Sequence, residues 1–121
     1  MFQISNNGII VINRGDSFTI NASINIGTIL EPITYTLQPG DRVYFGLMEP
    51  NQPFEFAVMR RRFTNADLDE HDNVVMKFDS DQTECLLPGV YYYMIKLARK
   101  DENGKDIVDT IIEKTKFIIV E

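Results

Sequence analysis

Residues 17–25 read Ser17-Phe18-Thr19-Ile20-Asn21-Ala22-Ser23-Ile24-Asn25, with Phe18, Ile20, Ala22 and Ile24 alternating against Thr19, Asn21, Ser23 and Asn25. Side chains of an extended backbone project to opposite faces with a period of two, so every apolar group here falls on one face of a strand. The same period, or a short β-branched block, recurs along the chain and is interrupted by turn residues about every ten positions. That is the pattern of an antiparallel β-sandwich or barrel.

Before this stretch, Ile9-Ile10-Val11-Ile12 is a β-branched block that ends in the turn formers Asn13-Arg14-Gly15-Asp16. After it, Ile29–Leu37 contains Pro32, which cannot donate to a central ladder, and is expected to be a loop or an irregular edge segment. Gln38-Pro39-Gly40-Asp41 has the chemistry of a turn and launches a strand over Arg42–Met48. A further strand is expected from Phe54 to about Phe63. The acidic stretch Thr64–Asn73 has room for at most one helical turn, capped by Thr64 or Asn65.

Val74–Phe78 returns to strand, Ser80–Glu84 connects, and Pro88-Gly89 makes a second corner before Val90–Arg99, which reads as the longest strand. Asn103-Gly104 is a strong hairpin signal, so Ile107–Ile112 should pair antiparallel with that strand. Lys114–Val120 closes the chain. The expectation is one all-β domain over residues 1–121, a sandwich of about seven to nine strands. Alternation nominates Ile20, Ile24, Val43, Phe45, Tyr93, Ile95, Leu97 and Phe117 for the core.

At 121 residues the chain has the length of one domain. A net charge of −6 argues against nucleic acid, because backbone binding needs Lys and Arg to displace counterions from phosphates. The single cysteine, Cys85, excludes an intrachain disulfide and a cysteine zinc site, and is expected to be a small buried hydrophobe. The N-terminal Met1–Gly8 lacks the basic start and apolar run of a signal peptide, and no run approaches the ~20 apolar residues of a membrane-spanning helix.

The chemistry-bearing motifs are few. Hydrolytic catalysis needs a base beside a nucleophile, and the one histidine, His71, lies in the acidic loop, so no catalytic residues are expected. Asp67, Asp69 and Asp72 are the residues nearest to a hard-cation set. The twelve-residue calcium spacing with its Gly and terminal Glu is missing, so a solvated charged loop is expected and no metal or cofactor. Arg14-Gly15-Asp16 matches the tripeptide read by integrin-type receptors, and is equally what a tight turn around Gly15 requires.

Two groups are candidates for contact. Arg60, Arg61 and Arg62 must alternate between the faces of a strand and so cannot form one continuous patch; charges of this kind commonly guard an edge. Tyr91, Tyr92 and Tyr93 must split in the same way, leaving at least one ring away from the others, and tyrosine is enriched in interfaces.

Asn13–Phe18, then Leu37–Phe45, then Leu87-Pro88-Gly89-Val90-Tyr91-Tyr92-Tyr93-Met94-Ile95-Lys96-Leu97, and last Phe117-Ile118-Ile119-Val120, occur in an order that resembles small Ig-like phage proteins. The chain is similar to the N-terminal domain of baseplate upper proteins and related tail or virion modules of phages and prophages of Gram-positive bacteria. Those share a Gly-Asp-Ser/Thr turn, a strand after a Gly-Asp corner, and a Pro-Gly-x-Tyr-x-Tyr-x-Ile strand ahead of a hairpin. The likeness spans about residues 12–120 and implies an Ig-like antiparallel sandwich with a non-enzymatic structural or assembly function.

It also implies other phage structural proteins, or the chain itself as a homo-oligomer, as partners, with a place in the bacterial cytoplasm during assembly and then in the virion. Longer members continue into a helical stem and a host-binding portion, so a chain ending at Glu121 is expected to act as an accessory or adaptor. The other functional class is a carbohydrate- or cell-surface-binding sandwich, in which exposed aromatics stack on sugars; it lacks the tryptophan most expected there.

Overall fold

The computed structural model describes residues 2–4, 7–28 and 30–121. Parts of the N-terminal segment Met1–Gly8 and of the Ile29–Leu37 stretch thus lie outside the described residues. Among the described residues the chain is all-β with one short α-helix. Its strands are Phe2–Ile4 (β1), Ile10–Asn13 (β2), Phe18–Ala22 (β3), Ile24–Asn25 (β4), Thr34–Tyr35 (β5) and Arg42–Met48 (β6). Met59–Phe63 (β7), Val74–Phe78 (β8), Gly89–Lys100 (β9) and Asp106–Val120 (β10) follow, and Ser80–Glu84 forms the helix α1.

Six strands form one curled sheet in the order β1-β2-β10-β9-β6-β7; β3 pairs with β8, and β4 with β5. All of these pairings are antiparallel except β2 with β10. The aromatic side chains fix how the β3–β8 ribbon meets the sheet. Phe18 and Phe78 stack with centroids 4.4 Å apart, and from the ribbon they reach Phe117 at 5.6 Å and Phe45 at 4.8 Å. Rings in these geometries add packing energy beyond the apolar area they remove from water.

The eight residues nominated for the core are all buried, and Ile10, Ile12, Leu47, Val74, Met76 and Ile119 join them. Alternation explains the success, since odd positions of β6 and β9 face the ribbon.

Several elements differ from expectation. The 17–25 run is not one strand: β3 pairs with β8, whereas Ile24 and Asn25 pair with Tyr35 and Thr34. The backbone changes partner at Ser23 while keeping its apolar period. Phe54–Phe56 is a 3-10 turn rather than the start of a strand, and β7 begins only at Met59. Ser80–Glu84 is helical, with a reciprocal capping box between Asp79 and Gln82. The two C-terminal strands are a single one, β10, whose register shifts between Thr110 and Thr115 let it run past two irregularities; it is longer than β9. Cys85 is exposed at the helix end, not buried.

The hairpin between β9 and β10 forms as expected from Asn103-Gly104, pairing Lys100 with Asp106. At the opposite end of β9, the Tyr91 hydroxyl donates to the Leu87 carbonyl at 2.6 Å and ties the strand back onto the Pro88-Gly89 corner. Tyr91→Phe keeps the ring and removes that bond. A loss of about 1 kcal/mol is expected in urea denaturation, the usual net worth of such a bond; an unchanged midpoint would show that the corner holds without it.

Candidate functional site

Because odd positions of β6 and β9 point inward, their even positions form the outer face of the long sheet. The register places Tyr44 beside both Arg62 and Lys96, Gly46 beside Arg60 and Met94, and Met48 beside Tyr92. Arg42 and Lys100 lie toward one end of this face, and Lys116, opposite Tyr92, toward the other. Lys114 reaches the same region, its ammonium donating to the Gln52 carbonyl at 2.7 Å. Seven of the twelve basic residues therefore share one face of a chain whose net charge is −6.

Phe54 organises the middle of the face. A Cβ on Gly46 would come within 2.4 Å of the Phe54 ring, so only glycine lets that ring approach the sheet this closely. The Lys96 ammonium is 4.8 Å and the Arg60 guanidinium 5.0 Å from the ring centroid, and Arg60 also donates to the Phe54 carbonyl at 2.9 Å. The face thus holds two cations in fixed positions on one aromatic ring.

Their charge is left uncompensated. Asp106 accepts from Lys100 at 2.9 Å and from Arg42 at 3.3 Å, and these two cations hold its carboxyl below the usual carboxylate range. Among the described residues Arg60, Arg62, Lys96, Lys114 and Lys116 form no ion pair.

The nominated residues separate as alternation requires. Arg60 and Arg62 are exposed on the outer face, whereas Arg61 turns inward, over Phe63 at 5.2 Å and Phe78 at 5.4 Å. It also donates to Gln82 Oε1 at 2.8 Å and to the Lys77 carbonyl, so it fastens β7 to the ribbon and to α1. Tyr91 and Tyr93 are buried, and burial raises both hydroxyls above the ordinary tyrosine value. Tyr93 donates to the Gly8 carbonyl at 2.6 Å. Of the three tyrosines, Tyr92 alone belongs to the outer face.

The acidic loop uses its carboxylates locally. Asp67 accepts from the Thr64 amide and completes a capping box on the 3-10 turn Asn65–Asp67. Asp69 Oδ1 accepts from the Asn73 and His71 amides at 2.9 and 2.8 Å, bonds that lower its pKa. Among the described residues no group of three or more His, Cys, Asp or Glu is placed to hold a metal ion, so Asp67, Asp69 and Asp72 are not brought together as ligands. An open cleft of about 340 Å³ beside this loop is lined by Arg61, Phe63, Asp67, Leu68, Val75 and Lys77, among others, with no nucleophile–base pair.

Arg14-Gly15-Asp16 is a turn clamped by the helix. Gly15 has φ +87°, its amide donates to Thr83 Oγ1 at 3.0 Å, and that hydroxyl donates to the Asp16 carbonyl at 2.9 Å. Arg14 Nε donates to the Glu84 carbonyl at 2.9 Å, so its guanidinium is engaged within the chain.

The signal missed in the sequence was Phe54 with Gly46. Neither is unusual alone, and they meet because the β6–β7 connection folds back over β6. Among the described residues no helix is long and apolar enough to cross a membrane. No family model, curated protein or solved structure matches the chain.

Proposed function

We propose that this chain is a non-enzymatic Ig-like sandwich module that serves as a structural or assembly component of a phage or prophage particle, working through protein contacts on the outer face of its long sheet. Strand order supports the Ig-like part. The run β10-β9-β6-β7 corresponds to G-F-C-C′ of a variable-type domain and the β3–β8 pair to B and E. Tyr91, near the start of β9 and bonded to Leu87, corresponds to the tyrosine corner of that fold.

The observation that carries the functional reading is the outer face itself: Arg60, Arg62 and Lys96, without carboxylate partners among the described residues, interleaved with Tyr44, Tyr92, Met94 and the fixed Phe54 ring. Arginine, methionine and aromatic residues are those enriched in protein interfaces. Catalysis has no comparable support, since no converging nucleophile, base and oxyanion donor occurs among the described residues.

The test is quantitative mass spectrometry of particles purified from the source bacterium after prophage induction or phage infection. A fixed copy number per particle is expected. Recovery only from the particle-free fraction would defeat the assignment.

A further inference from the structure

We propose that the basic outer face is a docking site for the acidic loop end of a second copy of the same chain. This rests on the assembly reading and names its partner. The argument begins with how charge is divided. With seven cations on one face, five of twelve remain for the rest of a chain that carries eighteen carboxylates.

Six of those carboxylates lie on two loops at one end of the fold. Pairing of Val43 with Phe63, Ala22 with Val74 and Lys100 with Asp106 brings the β7–β8 loop, the β4–β5 hairpin and the β9–β10 turn to the same end of the strands. Arg99, packed over the Tyr35 ring at 5.6 Å, ties the hairpin to that end. The two long loops contribute Asp67, Asp69, Glu70, Asp72, Asp101 and Glu102, against Lys105 and His71.

On the outer face, Arg62 and Lys96 flank Tyr44 in one cross-strand row, with Arg60 two residues along β7. Like charges this close repel when no anion lies between them, and a carboxylate set brought by a partner removes that repulsion. A polyanion such as nucleic acid meets the field of the other seventeen carboxylates, beyond Asp106, whereas a second copy can present its carboxylates at the end nearest the cations and keep the rest away. The two surfaces are different patches of the same molecule. Such a contact does not close on itself as a two-fold dimer does; it continues into a ring or an open array.

The experiment separates the surfaces. Arg62→Gln with Lys96→Gln disables the face and spares the Arg60–Phe54 contact; Glu70→Gln with Glu102→Gln disables the loop end at two exposed positions. Light scattering after size exclusion is run at about 25 mM and about 500 mM NaCl, where screening lengths differ several-fold. The wild type is expected to exceed the 13.9 kDa chain mass increasingly with concentration at low salt, and to return to it at high salt. Each double variant alone, with unchanged melting, is expected to stay at chain mass.

An equimolar mixture of the two variants should give a capped one-to-one complex of twice that mass, because one brings an intact loop end and the other an intact face. A mixture that stays at chain mass, or a face variant that still associates, overturns the proposal. A wild type that is monomeric at both salts yet incorporated into particles overturns self-docking and leaves the assembly reading standing. A capped complex from a protein absent from particles does the reverse.

Discussion

Truncating Phe45 to alanine is expected to lower unfolding free energy by about 3–5 kcal/mol, the usual cost of removing a fully buried aromatic ring. Phe45 has no exposed surface, and its ring lies 4.8 Å from Phe78, 5.6 Å from Tyr93 and 6.5 Å from Phe117. It sits where β6 of the long sheet meets β8 of the ribbon, so the cavity opens between layers that cannot collapse without moving two sheets. Phe45→Leu keeps most of the volume and should cost about half as much or less. Urea unfolding checks both. A midpoint shift for Phe45→Ala equivalent to under about 1 kcal/mol would mean that the ring contacts are not what joins the layers.

The inner face was legible in the sequence because strand geometry converts alternation directly into sidedness. Ile20, Val43, Tyr93 and Ile95 needed no knowledge of neighbours to be assigned. What stayed hidden depends chiefly on which segments meet in the fold. Ser23 keeps the alternation of 18–25 while the strand passes from β8 to β5, a change no local pattern records. Phe54-Glu55-Phe56 alternates like a strand, yet Pro53 precedes it and the Phe54 ring finds the open backbone at Gly46, so the segment turns back over the sheet. The hydrophobic character of Cys85 suggested burial, but the residue lies just past α1, whose capping box at Asp79 and Gln82 was readable and went unread.

The same division holds for the outer face. The splitting of the three arginines and the three tyrosines followed from the period of two; that Arg61 turns onto Phe63 and Phe78 instead of guarding a solvated edge did not. The convergence of Lys96 with Arg60 did not, because β6 must lie between β7 and β9 for them to meet on one ring. Charge counts alone suggested an acidic molecule; the structure shows that seven of its twelve cations share one face.

Asp41→Ala is expected to cost about 2–3 kcal/mol at neutral pH, because the carboxylate is buried and accepts two bonds, and bonds to charged groups are the stronger class. The Gln38 amide donates to it at 2.8 Å and the Tyr35 hydroxyl donates to the same oxygen. Both donors lose their partner in the variant, and with it the tie between the Pro39-Gly40 corner and the β4–β5 hairpin. The same pair gives an alkaline signature. Burial, then the hydrogen bond to Asp41 and its charge, push the Tyr35 hydroxyl from 10.0 to about 12, against a smaller opposing pull from Arg99. The folded state therefore holds this proton more tightly than the unfolded chain. Its stabilisation is complete below pH 10, falls as the unfolded chain ionises first, and is gone once pH passes about 12. Urea midpoints measured from pH 9 upward should fall across that window for the wild type. Tyr35→Phe, starting lower, should fall less steeply, the remaining slope coming from Tyr91 and Tyr93, whose hydroxyls are also raised by burial. Parallel slopes for the two proteins would mean that Tyr35 gives up its proton equally easily in both states, and that Asp41 holds the corner without it.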